Sequence, residues 1–250
     1  SFCCAKGARR TWRNARRDAT KRVPPAGCKR RDCAVLIVKY SKTGPAKYAS
    51  HVDTLRAMGR ILARADVSVG YSEGFNPHAL LFFSPPNAVG VDSLCEYVAV
   101  AAGEERDFIG RFNAAAPCGF TALRVWTTQG NPNLAGVIDG ARYEIKSPGI
   151  GTADYGKIKD GFVVEYDGKD GKKSKDYASY VISVTTENDD KITAVLKYGN
   201  ENLRPDRFVG GVRAMFGIDG GDAEIIKTAA FVKEEDVDDF LDKLHNKTSP

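Results

Sequence analysis

The chain has 250 residues, of which 42% are hydrophobic, enough for a real core in one large domain or two of ordinary size. Its formal charge of +5 is unevenly placed: residues 1–33 carry 11 Lys and Arg against 2 acids, roughly +9, and the remainder carries 26 basic against 30 acidic residues, roughly −4. That split argues against a folded body that grips polyanions by net charge, and turns attention to the arm, with Arg9, Arg10, Arg13, Arg16, Arg17, Arg22, Arg30 and Arg31. The arm's alternative reading is a solvated tail.

Six cysteines without a regular framework spacing predict a reduced, cytoplasmic chain, not a secreted disulfide scaffold. Cys3, Cys4, Cys28 and Cys33 are badly spaced for zinc, so no metal site is assigned. There is no run of 18 apolar residues, which predicts a soluble protein with no membrane partner.

After the arm, Ala34–Tyr40 is short and β-branched and predicts a buried strand. Gly44-Pro45 breaks it. Ser50 with Asp53 three residues on forms a capping-box-like start to a helix over His51–Ala65. Val52, Leu55, Gly59 and Leu62 are expected on its inner face, with Asp53, Arg56, Arg60 and Arg64 on an outer one. Tyr71–His78, reading Tyr-Ser-Glu-Gly-Phe-Asn-Pro-His, then mixes turn formers with an acid, a hydroxyl, two aromatics and an imidazole, and predicts a functional loop. Strands over Leu80–Ser84 and Glu96–Ala101, a helix over Glu104–Ala116 and a strand over Phe120–Trp126 follow.

Gln129–Ala135 reads as a linker. Beyond it, strands are expected over Ala141–Lys146, Phe162–Tyr166, Tyr177–Thr185, Ile192–Tyr198 and Ala223–Val232, with Ala153–Lys159 at most a short helix and a helix over Pro205–Phe216. Lys169, Lys172, Lys173 and Lys175 sit in a polar hairpin tip, diluted by acids. Glu234–Asn246 predicts an acidic terminal helix. The expected fold is α+β: two ferredoxin-like (βαββαβ) halves with antiparallel sheets, at 34–130 and 136–233, flanked by the arm 1–33 and an acidic C-terminal segment 234–250.

Several stretches together carry a family resemblance: Ser50-His51-Val52-Asp53 with Arg56; Tyr71–His78; Gly90 with Ser93 and Glu96-Tyr97; and, more weakly, Asn202-Leu203-Arg204-Pro205. They resemble the radical-SAM-linked family, bacterial proteins of unknown function found beside or fused to an uncharacterised radical S-adenosylmethionine protein. The likeness covers residues from roughly 35 to 233. It departs after His78, where Ala79-Leu80 stands in place of the family's frequent Pro and basic residue. Trp12–Cys33 loosely resembles the end of such a partner, which suggests a remnant of it or a junction of a longer chain.

The resemblance implies association with radical chemistry, not possession of it. This chain has no Cys-x3-Cys-x2-Cys, so the 4Fe–4S cluster is expected only in a radical SAM partner and no cofactor in the chain itself. The expected function is an accessory protein, non-catalytic alone, related to modification or processing of tRNA or rRNA. Arg56, Arg60, Tyr71, Ser72, Glu73, Gly74, Phe75, Asn76 and Arg204 are its candidate RNA-binding residues, the aromatics because bases stack on them. Two rival expectations are an RNA endonuclease or RNA-modifying enzyme using His51, Asp53 and His78 for acid–base work, and a protein–protein adaptor. The structural alternatives are that Ser50 and Asp53 only cap the helix and that Phe75 anchors the loop in the core.

Overall fold

A computed structural model describes residues 34–73, 75–102, 106–168 and 171–247. The basic arm with its four cysteines, Gly74, Lys169 and the start of the helix expected at Glu104 lie outside the described residues.

β1 (Ala34–Lys42) is buried on both faces, which is why its sequence runs apolar without alternation. Leu36, Val38 and Tyr40 point toward two helices, α1 (His51–Arg64) and, further along the chain, α2 (Phe108–Ala115). Val35 and Ile37 point the other way, into the core shared with the second half. Ser50 caps α1 by accepting the Asp53 amide, as its capping pattern predicts. The inner face of α1 is Thr54, Met58, Ile61 and Leu62, however, and Val52 and Leu55 are exposed.

β2 (Leu81–Phe83), β3 (Asp92–Val100), α2 (Phe108–Ala115) and β4 (Phe120–Gln129) complete the first stretch. β4 and β3 flank β1, and β2 pairs the end of β3, all antiparallel. The second stretch runs through α3 (Leu134–Val137), β5 (Gly140–Lys146), the hairpin β6 (Val163–Gly168) and β7 (Gly171–Asp176), β8 (Val181–Asn188), β9 (Lys191–Lys197), α4 (Pro205–Phe216) and β10 (Glu224–Val232). The polar stretch expected as a hairpin tip contains a whole strand, β7, with Lys172, Lys173 and Lys175 on it. In the place of a helix after β5 stand short 3-10 turns at Ile150–Thr152 and Tyr155–Asp160. Gly211 lets α4 lie against the hairpin, because a Cβ there would come 2.6 Å from Val164 and 2.7 Å from Phe162.

The two stretches do not keep separate sheets. β3 and β10 pair in parallel at Ser93–Lys227 and Asp92–Ile226, giving one nine-stranded sheet in the order β4-β1-β3-β10-β5-β9-β8, with β2 and β11 (Glu235–Asp236) at its sides. The chain is therefore α+β with a mostly antiparallel sheet, as expected in class. The join was not legible because a two-residue pairing leaves no periodic signal.

α5 (Val237–Asn246) returns across the first half, burying Val237 and Leu241. Its acids are spent on that contact: Asp238 pairs with Lys39 at 2.6 Å and accepts from the Tyr97 hydroxyl at 2.8 Å, and Asp242 accepts from the Trp126 indole at 2.8 Å. The indole hydrogen bond, helped by Arg124, holds the Asp242 carboxyl below its ordinary 3.8. A depressed carboxyl contributes stability above its unfolded value, and this is lost as pH falls through the folded one. Asp242→Asn should therefore flatten the acid limb of stability, by under about 1 kcal/mol because solvent screens the partly exposed pair. Urea denaturation of both forms from neutral pH down through the carboxylate range measures it; parallel curves would contradict the assignment.

Candidate functional site

The signature loop is held by its own side chains. Tyr71 and Ala79 bridge its base, and the Ser72 amide donates to the His78 carbonyl at 2.9 Å. Ser72 Oγ in turn accepts from the His78 amide at 3.1 Å and lies 2.9 Å from His78 Nδ1. Ser72 and His78 are thus a clasp at the loop's neck. Glu73, Asn76 and Tyr71 are exposed beyond or beside it, and Phe75 is 101% exposed. The core-anchor role for Phe75 does not hold, since its ring touches no core. Gly74 lies outside the described residues.

His51, Asp53 and His78, expected together for acid–base work, fall into separate pieces. Asp53 bonds Ser50 Oγ at 2.7 Å and lies 3.7 Å from Arg56, and the Ser50 bond first, then Arg56, holds its carboxyl low. It serves the helix start. Arg60 is exposed on the same helix, while Arg64 donates to the Ala115 carbonyl at 2.6 Å. Arg204, at the start of α4 in the second half, commits its guanidinium fork to Asp206 at 2.8 and 3.0 Å. No hydrogen bond among the described residues joins His51 to the clasp.

His51 instead packs edge-on against Phe83, with ring centroids 5.4 Å apart, and lines a cavity of about 320 Å³ where the two halves meet. Leu81 and Phe83 bring β2 into the wall, so the strand leaving the signature loop leads directly into the cavity. Pro85, Pro86 and Leu55 add apolar surface, and Gly199-Asn200 come from the second half. The exposed Leu55, which departs from the helix's expected inner face, belongs to this wall.

Behind that wall Ser93 and Glu96, named from the sequence only as part of the family resemblance, meet Lys227, which sequence reasoning missed. Lys227 and Glu96 are both buried, with Lys227 Nζ 2.5 Å from Glu96 Oε1. Ser93 Oγ donates to the same carboxylate at 2.7 Å. Lys227 also donates to the Tyr198 hydroxyl at 3.1 Å, and that hydroxyl donates to the Pro85 carbonyl in the cavity wall. Burial pulls the Lys227 ammonium's proton affinity down, but Glu96 more than offsets this and leaves it raised. Burial also lifts the neighbouring Cys95 thiol to about 11, so it is inert as a nucleophile. A signal was present: Lys227 shares its strand parity with the buried Ile225 and Ala229, a charge placed on an inward face.

A larger cleft of about 710 Å³ lies on the second half. Arg142, Lys197 and Lys233 on its walls are balanced by Asp139, Glu201 and Glu234, so it offers no net charge to a ligand. Among the described residues no group of three His, Cys, Asp or Glu is placed to hold a metal. The cysteines there, buried Cys95 and exposed Cys118, do not make the three-cysteine set of an iron–sulfur cluster.

A family model described as an uncharacterized protein conserved in bacteria (DUF2344) matches residues 36–205, more than half of the chain. The chain belongs to this family. The matched DUF2344 region takes in α1, the signature loop, the Glu96 end of the buried pair and both sides of the cavity, and stops at the first residue of α4. No curated protein matches the chain. No helix among the described residues is long and apolar enough to cross a membrane.

Proposed function

We propose that this chain is a radical-SAM-linked accessory protein of the cytoplasm, non-catalytic alone, that presents single-stranded RNA to a radical SAM partner for modification or processing. The observation that carries this reading is Phe75, a fully exposed aromatic ring at the end of a loop whose neck is pinned by Ser72 and His78. An exposed ring costs solubility, and a base stacked on it removes that cost while tolerating any sequence. Tyr71 offers a second ring at the loop base, and the exposed Arg56 and Arg60 of α1 offer charge for phosphates. The iron–sulfur cluster belongs, on this reading, to the partner.

We also read the fold more finely. In the first stretch the strand order is β4-β1-β3-β2, and in the second β10-β5-β9-β8. We read both as ferredoxin-like units, fourth-first-third-second, the second having exchanged its first helix for 3-10 turns and the β6–β7 hairpin.

Binding of the full chain to a single-stranded RNA oligonucleotide, titrated against salt, tests the proposal. Phe75→Ala should weaken it by about 1–3 kcal/mol, roughly 5- to 150-fold in Kd, without changing the salt slope. Equal affinity of both forms would remove the loop from RNA recognition. A second reading is favoured by His51 in its cavity: an RNA endonuclease or modifying enzyme with His51 as acid or base. It requires turnover that His51→Ala abolishes.

A further inference from the structure

We propose that the cavity between the halves is a binding site for one neutral nucleobase, turned out of the same RNA strand that the signature loop holds. The inference rests on the RNA reading for its biological ligand, and on the cavity alone for its chemistry.

Among the described residues the lining contains no Lys, Arg, Asp or Glu. A phosphate, a carboxylate or an amino acid would find no fixed counter-charge on these walls. A neutral planar ring needs none. Phe83, Leu55, Leu81, Pro85 and Pro86 supply apolar surface for its faces, and about 320 Å³ lies at the small end of the range for small-ligand sites. The polar side chains of the lining are Ser84, whose hydroxyl already accepts from the Tyr97 amide at 3.2 Å, and two that can read a base edge: the Asn200 amide, with donor and acceptor side by side, and the His51 imidazole.

The walls are also built in advance of any ligand. Pro85 is tied through Tyr198 to the buried Lys227–Glu96 pair, so one wall is fixed to the joint between the halves. Gly199, with φ of +100° and an absent Cβ that would meet the Ile138 carbonyl at 2.5 Å, sets the backbone that carries Asn200. His51, an exposed residue, packs its ring edge-on to Phe83. The exposed Arg56, one residue beyond Leu55, remains outside the lining, where a backbone phosphate of the strand would lie.

The chain has three histidines, so the imidazole carbon-bound protons of His51 can be followed by NMR against His78 and His245 as internal controls. Adenosine and uridine, added separately to the full chain, are the probes, with inorganic phosphate as the comparison. A saturable shift of His51 alone with either nucleoside, lost in Ala135→Phe, which fills the cavity from exposed α3, is the expected result. The proposal is overturned if neither nucleoside moves His51, if phosphate moves it equally, or if the shift survives in Ala135→Phe. Because free nucleosides need no loop, this outcome is independent of Phe75→Ala: a nucleoside response with no RNA binding would fail the RNA reading and leave the pocket standing.

Discussion

Replacing Lys227 by Met should lower stability by about 3–5 kcal/mol, because it strips the partner from a buried carboxylate. Glu96 would keep the Ser93 hydroxyl, but its ion-pair partner at 2.5 Å would be gone from a site almost without solvent. The Tyr198 hydroxyl would lose a donor in the same step. At about 2–4 °C per kcal/mol for a chain of this size, the melting temperature should fall on the order of 10 °C. Lys227→Met combined with Glu96→Leu should recover most of the loss, since an apolar pair of similar volume carries no desolvation cost. Denaturant unfolding of the two singles and the double gives the coupling directly. A single variant within about 1 kcal/mol of wild type would mean that Glu96 is satisfied without Lys227. The raised ammonium sets the pH sense: its contribution is fully present below the ordinary 10.5 and is lost only as pH rises through the higher folded value.

Gly199→Ala should be the second severe change. The residue follows β9 with φ of +100°, and an added Cβ would fall 2.5 Å from the Ile138 carbonyl oxygen. Left-handed backbone alone costs an L-residue about 1–2 kcal/mol, and the clash is with backbone, which cannot swing aside. A total of at least about 2 kcal/mol is expected, together with displacement of Asn200 from the cavity wall. Gly59→Ala is the control. It sits in α1 with nothing within 4 Å of its missing Cβ, and should stabilise by about 0.5–1 kcal/mol. Equal melting temperatures for the two alanine variants would show that Gly199 does not hold the wall.

Local signals were readable where one residue type decides the backbone. α4 runs over Pro205–Phe216 as expected, because proline suits its first turn and Gly217, with φ of +66°, ends it. Ser50 and Asp53 cap α1 for the same kind of reason. What escaped depends on partners far along the chain. The inner face of α1 is misread because Leu55 belongs to a cavity completed by residues from the second half. The Lys227–Glu96 pair spans two strands whose contact no periodicity announces. Within the candidate site, the loop's clasp is made of residues the sequence had singled out, Ser72 and His78, but their use of each other, and not of His51, depends on the loop's closed geometry.

The most direct test of the account is photo-crosslinking of the full chain to a single-stranded RNA carrying 4-thiouridine, with the attached peptide identified by mass spectrometry. Crosslinks within Tyr71–His78, lost in Phe75→Ala, are the predicted result. Crosslinks confined to the arm at residues 1–33, or unchanged in the variant, would contradict the account.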